Sequence, residues 1–350
     1  MSFIQATRQN IAELPTQTYA AGSTKYSFVL PKVGLLSRLF LTIAGTMTTT
    51  AGTGSVALSQ FTGYNLIKRI RVLANSGSSI YDVSGYGTYV INRLSARQSV
   101  LTDSLFDATT DALVYAAPVA EGANTWKLGL EIPIALNDRD PVGLVMLQNN
   151  QTQIVVEIEL NAAYSTNSEY APVLVTGNAT AAFSAGTIGL SMEYFTVPRD
   201  KNDLPAINVI HQYTEESLAI SSAGVQNISL LRGNTYVQLI HYAVLAGTLN
   251  SAAIERLRIL YNQSEVPYNV NNQVQMLLQR KRYGSDLPLG TFVHDWYMSN
   301  GMPNLGNSRD FINSSSVTEF QSELTIASGT TVTAGTSRIA TIKRQLIQIA

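Results

Sequence analysis

The chain has 350 residues, of which 13% are charged, about half the ~25% usual in globular domains, and its net charge is −1. That balance supplies no field to gather nucleic acid over distance, and it suits a surface largely covered by neighbours, because interface cores are depleted in charge. The absence of cysteine excludes a disulfide framework, a thiolate nucleophile and a cysteine metal site.

At ~150 residues per domain the length predicts two domains, each large enough to bury its own core. Met1 to Gln5 lack the basic and apolar blocks of a signal peptide. No apolar run approaches the ~20 residues of a membrane span. The product is therefore expected to stay in the compartment where it is made unless it is packaged.

Residues 1–32 read as an N-terminal arm. Ile4, Ile11 and Leu14 share one face of a short helix that Pro15 ends, with Phe3 and Arg8 alongside. Alone, such a segment is too short to be a stable helix in water, and it gains order by lying on another surface. The arm is expected to be dispensable for folding but needed for assembly; the other reading is a frayed end. Residues 16–27, rich in Thr, Ala, Gly and Ser, read as extended or mobile.

The first strand-rich block is placed at 33–198. Leu39, Leu41 and Ile43 alternate with Phe40 and Thr42. Residues 46–54 read as a polar loop, 85–98 as a helix and 102–125 as a long irregular loop. Residues 128–134 form a strand whose Pro133 marks an edge or a bulge. A turn follows at 137–141, then the clean alternation of 154–160 and another strand at 188–194. Charge and proline cluster around Arg199, Asp200, Lys201, Asp203 and Pro205, so the linker is placed at 199–207. The second block, 208–350, has strands expected near 224–231, 235–245 and 254–261, and a helix at 273–282. A long loop runs to about 311. A strand with Phe320, Leu324 and Ile326 inward and a last strand over 338–349 complete it.

One stretch occurs twice. Ile67-Lys68-Arg69-Ile70-Arg71-Val72-Leu73-Ala74-Asn75, with Tyr81-Asp82-Val83 after it, matches Ile254-Glu255-Arg256-Leu257-Arg258-Ile259-Leu260-Tyr261-Asn262 with Tyr268-Asn269-Val270. The offset, 254 − 67 = 187, holds without a gap. Each copy reads as strand, turn, strand: Ile70, Val72, Leu257 and Ile259 point to one face, the arginines to the other, and Tyr81 and Tyr268 open the return strands. A repeat at this distance means two copies of one domain rather than a solenoid. Many short strands without βα alternation argue an all-β sandwich or barrel in each half, of which the eight-stranded jelly roll is a common form.

Reactive chemistry finds little support. His211, His241 and His294 are far apart and form no H-x-H or H-E-x-x-H pattern. His294-Asp295-Trp296 reads as a strand or loop segment, and Asp138, Arg139 and Asp140 as a solvated turn rather than a carboxylate pair or calcium ligands. No catalytic residue, metal or cofactor is expected. Arg280-Lys281-Arg282, the densest basic cluster, reads as a solvated helix end, with membrane phosphates or a neighbouring subunit as alternative partners.

Several runs resemble a known family. Val56-Ala57-Leu58, Phe61, Asn65-Leu66-Ile67-Lys68-Arg69-Ile70 and Ser84-Gly85-Tyr86 are similar to the first barrel of the double jelly-roll major capsid proteins of tectivirus-type bacteriophages, which are tailless and icosahedral with an internal membrane. Glu131-Ile132-Pro133-Ile134-Ala135, Gly143-Leu144-Val145 and Asp203-Leu204-Pro205 follow in the family's order. The resemblance implies two consecutive eight-stranded jelly rolls, each with a short helix. It also implies a homotrimer that is pseudo-hexagonal and tiles an icosahedral shell, and an N-terminal arm, carrying Phe3, Ile4, Arg8, Ile11 and Leu14, that faces the membrane or a neighbouring subunit. The partners it implies are the chain itself, neighbouring trimers, the internal viral membrane and minor penton or spike proteins, with no specific nucleic acid. The location it implies is the virion, after synthesis in a bacterial host's cytoplasm. The rival reading is a trimeric jelly-roll receptor-binding or lectin-like protein displaying Trp126 or Trp296 in loops.

Overall fold

The computed structural model describes residues 3–20, 23–50, 54, 56–58, 61, 63–75, 77–95, 121–136, 142–149, 151–161, 173–175, 179–205, 207–262, 264–283, 287–296 and 311–348. The chain divides into two compact units, the first mainly residues before Tyr213 and the second mainly Tyr213–Ile347.

The first unit has two antiparallel four-stranded layers. One runs, in spatial order, Gln9–Glu13, Thr180–Phe195, Leu35–Thr50, Gly122–Pro133. The other runs Lys25–Val29, Ile154–Leu160, Ile67–Ala74, Ser78–Val83. This order, in which the first and last strands are neighbours, is that of a jelly roll. In the second unit the same order recurs. One layer is Val209–Ala219, Arg338–Gln348, Thr235–Leu245, Thr291–Asp295; the other is Gly224–Ser229, Phe320–Ile326, Ile254–Tyr261, Glu265–Asn271. The strand Val209–Ala219 starts within the first unit and ends within the second. The fold is a double jelly roll.

Alternation explains the layers. Ile154, Val156, Ile158 and Leu160 are buried while Val155, Glu157 and Glu159 are not, so one side of the strand is core and the other is wet. In the second unit a single cluster takes Tyr236, Leu239 and Ala243 from one layer and Leu257, Ile259, Phe320 and Leu324 from the other. Each such side chain contributes ~1.5–3 kcal/mol on burial. Each unit also carries one helix of three turns or so, Gly85–Ser95 and Asn272–Tyr283. No helix among the described residues is long and apolar enough to cross a membrane.

Three expectations about local structure change. The arm is not a helix: helix covers only Phe3–Ala6, and Gln9–Glu13 is a strand in register with Ser191–Phe195. A four-residue helix closes almost no internal hydrogen bonds, whereas a strand laid on an open edge gains a ladder. Leu14 is buried, its N–H donating to Leu190 O at 2.8 Å, and Phe3 packs edge-on against Phe195 at 5.4 Å. The side chain of Ile4 lies outside the described residues. Residues 16–27 are likewise not merely extended, because Lys25–Val29 pairs with residues 155–159, burying Tyr26 and Phe28. Residues 1–32 thus supply the first two strands of the first jelly roll. Finally, the loop expected at 46–54 is strand as far as Thr50, held between Thr180 and Gly122. The strand carrying Pro133 begins at Gly122 and lies at the edge of its sheet, with the proline as its last residue. The turn expected at 137–141, with Asp138, Arg139 and Asp140, lies outside the described residues.

Candidate functional site

The feature shared by both units is a hairpin, a helix and the strand edge that the helix closes. In the first hairpin Ile70 pairs with Val83, Arg71 with Asp82 and Val72 with Tyr81. In the second, Leu257 pairs with Val270, Arg258 with Asn269 and Ile259 with Tyr268, each residue 187 further on. The next strand follows suit: Val156, Glu157 and Ile158 lie opposite Val72, Arg71 and Ile70, as Ser322, Glu323 and Leu324 lie opposite Ile259, Arg258 and Leu257. The fourth strand agrees too, with Phe28 opposite Val156 and Ile228 opposite Ser322. Ile70, Val72, Leu257 and Ile259 are fully buried; Tyr81 is buried and Tyr268 half-buried.

Both hairpin turns use a left-handed asparagine, Asn75 at φ 49° and Asn262 at φ 53°. Asparagine tolerates this region better than most residues because its short amide bonds locally. Asn75 N–H donates to Gln153 O at 2.9 Å, and Asn262 N–H to Glu319 O at 3.0 Å, so each turn is tied to the neighbouring strand. On the arginine face Arg71 lies 4.0 Å from Glu157, the pair equivalent to Arg258 and Glu323, but the balance of contacts differs. Arg69 and Arg71 both approach Asp82 in the first unit, whereas Arg258 meets Glu323 at 2.8 Å in the second.

The helices begin at equivalent residues, Gly85 and Asn272. The return-strand tyrosine reaches the same helical position in each: Tyr81 Oη donates to Thr88 Oγ1 at 2.8 Å, and Tyr268 Oη to Gln275 Oε1 at 2.5 Å. One turn later a helical amide clamps an edge strand. Asn92 donates to Glu131 O at 2.7 Å and accepts from Glu131 N–H at 2.9 Å. Its equivalent, Gln279, accepts from Val293 N–H at 2.8 Å and donates to Thr291 O at 3.3 Å. Gln275 adds a bond to Val293 O at 2.7 Å. An open strand edge is a template for unwanted pairing, and these amides occupy it. The sequence reading missed Asn92 and Gln279, although both are carboxamides at the repeat's offset.

The second unit holds the buried polar chemistry. His241 is fully buried, Nδ1 within 2.9 Å of Thr341 Oγ1 and Nε2 within 2.9 Å of Ser322 Oγ, so it links strands of both layers. Burial, and then the Lys343 ammonium, pulls its pKa down to about 3. His294 sits between the rings of Tyr268 and Trp296, at 4.2 and 4.3 Å, and burial followed by the Arg282 charge lowers it to about 3. Tyr283 Oη donates to Asp295 Oδ2 at 2.6 Å, and burial with that carboxylate raises the phenol's pKa well above the usual value. Lys343, itself buried, meets Glu216 at 2.6 Å. His241 and His294 are thus committed to packing, His211 Nδ1 lies 3.0 Å from Ile134 O, and no group of three or more metal-ligating side chains exists among the described residues. His294-Asp295-Trp296 is the end of an edge strand.

This geometry builds two units whose hairpins and neighbouring strands share one register. Residues 1–198 match the family model described as P3 major capsid protein N-terminal. The chain belongs to that family. As a viral major capsid protein it is a structural protein rather than an enzyme, and the match starts at residue 1, so it includes the strands Gln9–Glu13 and Lys25–Val29. Solved structures agree on the fold over both halves. The major capsid protein of Sulfolobus turreted icosahedral virus matches at TM-score 0.69 and 12% identity, covering 97% of each chain. The PBCV-1 virus capsid gives 0.67 at 12% identity, covering 97% of this chain and 94% of that one. The major capsid protein P2 of bacteriophage PM2 gives 0.54 at 10%, covering 98% of each. No curated protein sequence matches. The rival receptor-binding reading loses one of its two platforms, because half-buried Trp296 packs against Tyr236 and Phe320 of the core cluster. The side chain of Trp126 lies outside the described residues, within the strand Gly122–Pro133.

Proposed function

We propose that this capsid subunit works as a homotrimer whose six jelly rolls approximate a hexagon, and that such trimers tile the facets of an icosahedral shell around an internal membrane. The observation that carries the reading is the common register of four strands and a helix start in the two units. Two units this similar let three chains offer six near-equivalent lateral faces. Contacts that are individually weak become strong when each capsomer makes many at once. The low charge of the chain, 13%, agrees with lateral surfaces that neighbours cover. The membrane, minor penton or spike partners and synthesis in a bacterial cytoplasm rest on the sequence resemblance. Light scattering of the purified chain, with negative-stain images, tests the core of this. Three-subunit, pseudo-hexagonal particles are expected; a monomer at micromolar concentration and neutral pH overturns it. Lipid recovered inside purified particles is expected if the shell surrounds a membrane, and lipid-free shells would remove that part.

A further inference from the structure

The helix Asn272–Tyr283 is packed the wrong way round for an isolated domain. Its inward side is polar, with Gln275, Gln279 and Tyr283 buried and bonded to the edge strand and its neighbours. Its outward side carries Val274 and Leu277, 43% and 66% exposed, with half-buried Leu278 beside them. These three and Lys281 fall at i, i+3, i+4 and i+7, which is one continuous stripe. In the first unit the equivalents of Leu277, Leu278 and Lys281 are Val90, Ile91 and Leu94, and all three are buried. A stripe that the fold hides in one unit and leaves bare in the other marks a surface meant to be covered.

Charge identifies the cover. The helix has no acidic residue, and exposed Lys281 borders the stripe. Its complement is an apolar side chain with a carboxylate beside it. Among the exposed large apolar residues, Ile11, 65% exposed, has exposed Glu13 two residues on, on the same face of the edge strand Gln9–Glu13. Leu218 has Glu216 at the same spacing, but Glu216 is already paired with Lys343. Val29 and Leu231 have basic neighbours in Lys32 and Arg232.

We propose that the Val274–Leu277–Leu278 stripe of one copy docks on the Ile11 face of a second copy of this chain, with Lys281 meeting the second copy's Glu13. The contact joins unlike patches, so it runs head to tail, and a threefold rotation between copies closes it into the trimer ring proposed above. It rests on the self-assembling reading above and names where that assembly occurs. The test is light scattering on the full-length chain and its variants. Wild type is expected as a trimer. Leu277→Asp, Lys281→Glu and Glu13→Lys each are expected to raise the concentration of half-dissociation at least tenfold, with unchanged circular dichroism because all three positions are exposed. The combined Glu13→Lys, Lys281→Glu chain is expected to recover most of that loss. If wild type is monomeric, the trimer reading fails and this contact with it. If Leu277→Asp stays trimeric, the trimer stands and this face is wrong. If the single charge variants dissociate and the combination does not recover, the stripe is an interface and Glu13 is not its partner.

Discussion

The helices Gly85–Ser95 and Asn272–Tyr283 start at the same point of the repeat, and both bury the residue that meets the return-strand tyrosine, Thr88 or Gln275. Yet the first is buried on nearly every side and the second mainly on its polar side. The first buries Tyr86, Tyr89, Val90, Ile91 and Leu94. Phe61 meets Tyr86 edge-on at 5.1 Å, and Tyr64 stacks on Tyr89 at 4.5 Å. That cover presses close: a Cβ on Gly85 would lie 2.4 Å from Tyr64 O, so only glycine fits there. In the second unit the residues equivalent to Phe61 and Tyr64 are Thr248 and Ser251. Asn272 takes glycine's place, and its side chain reaches Ser251 O at 2.9 Å. The two units keep the backbone register and the amide clamp but differ in what covers the helix. What fixes the hydrogen-bond ladder is common to the two units; what decides whether a face looks inward or outward is not.

The most disruptive way to break the comparison is to remove strands that only the first unit draws from the N-terminus. Deleting residues 1–15 removes five register pairs and buried Leu14. About one kcal/mol for each of the five pairs and ~2 kcal/mol for the leucine predict a loss on the order of 7 kcal/mol. Thermal melts should show the first unit unfolding early while the second keeps its transition. An unchanged melt would restore the free arm that the sequence suggested.

Next in size is the shared core. Ile70→Ala and Leu257→Ala remove equivalent, fully buried side chains, so each should cost ~2–5 kcal/mol. Arg69→Ala on the opposite face breaks a partly exposed ion pair with Asp82, worth ~1 kcal/mol or less. Urea titrations of the three variants decide this. A greater loss for Arg69→Ala than for Ile70→Ala would contradict the observed burial.

What the sequence made legible follows the same division. The hairpins were readable because their inward residues, Ile70, Val72, Leu257 and Ile259, are apolar and strictly alternate. The helix positions were readable from the spacing of Tyr86, Tyr89, Val90 and Leu94. Gln9–Glu13 was not, because its partner strand is some 180 residues away and its one branched apolar residue, Ile11, faces out. Nor was Val209–Ala219, whose inward side chains are His211, Tyr213 and Glu215. Pattern reading treats a Glu as outward, but Tyr242 Oη donates to Glu215 in the interior. The second helix defeats the same rule: its apolar stripe is legible, and the side of the helix that meets the sheet is not.

The buried histidines sharpen the contrast further. His241 and His294 both lie in the second unit, each lowered to about 3 from an ordinary value near 6.5. Folding therefore excludes protons that the unfolded chain binds below about pH 6.5. The stability these groups allow is complete above that pH and is lost as pH falls toward 3. The slope is ~1.4 kcal/mol per pH unit for each histidine, or ~2 kcal/mol each at pH 5. Hydrogen exchange at pH 5 should open the strands Thr235–Leu245 and Thr291–Asp295 before those of the first unit. His241→Gln should reduce the proton uptake on unfolding by about one. Earlier opening of the first unit would mean that its own groups dominate acid unfolding.

The finest comparison, a difference between two losses, concerns the amide clamps. Asn92 bonds to both polar groups of one residue, Glu131. Gln279 bonds to Val293 N–H and Thr291 O and also accepts from Gln275 at 2.8 Å, so its removal strands more partners. A buried donor or acceptor left without a partner costs ~1–3 kcal/mol. Asn92→Leu should therefore fall near the lower end of that range and Gln279→Leu near the upper. Leucine roughly keeps the volume, so packing contributes little to the difference. Denaturant titration gives the two losses, and the exchange rates of the Glu131 and Val293 amides show whether the edge itself has opened. Faster exchange at Val293 in Gln279→Leu, with Glu131 unchanged in that variant, would show that each clamp guards only its own strand. Equal losses in the two variants would mean that the bond to Gln275 adds nothing, and that the second helix is held by its neighbours rather than by its polar face.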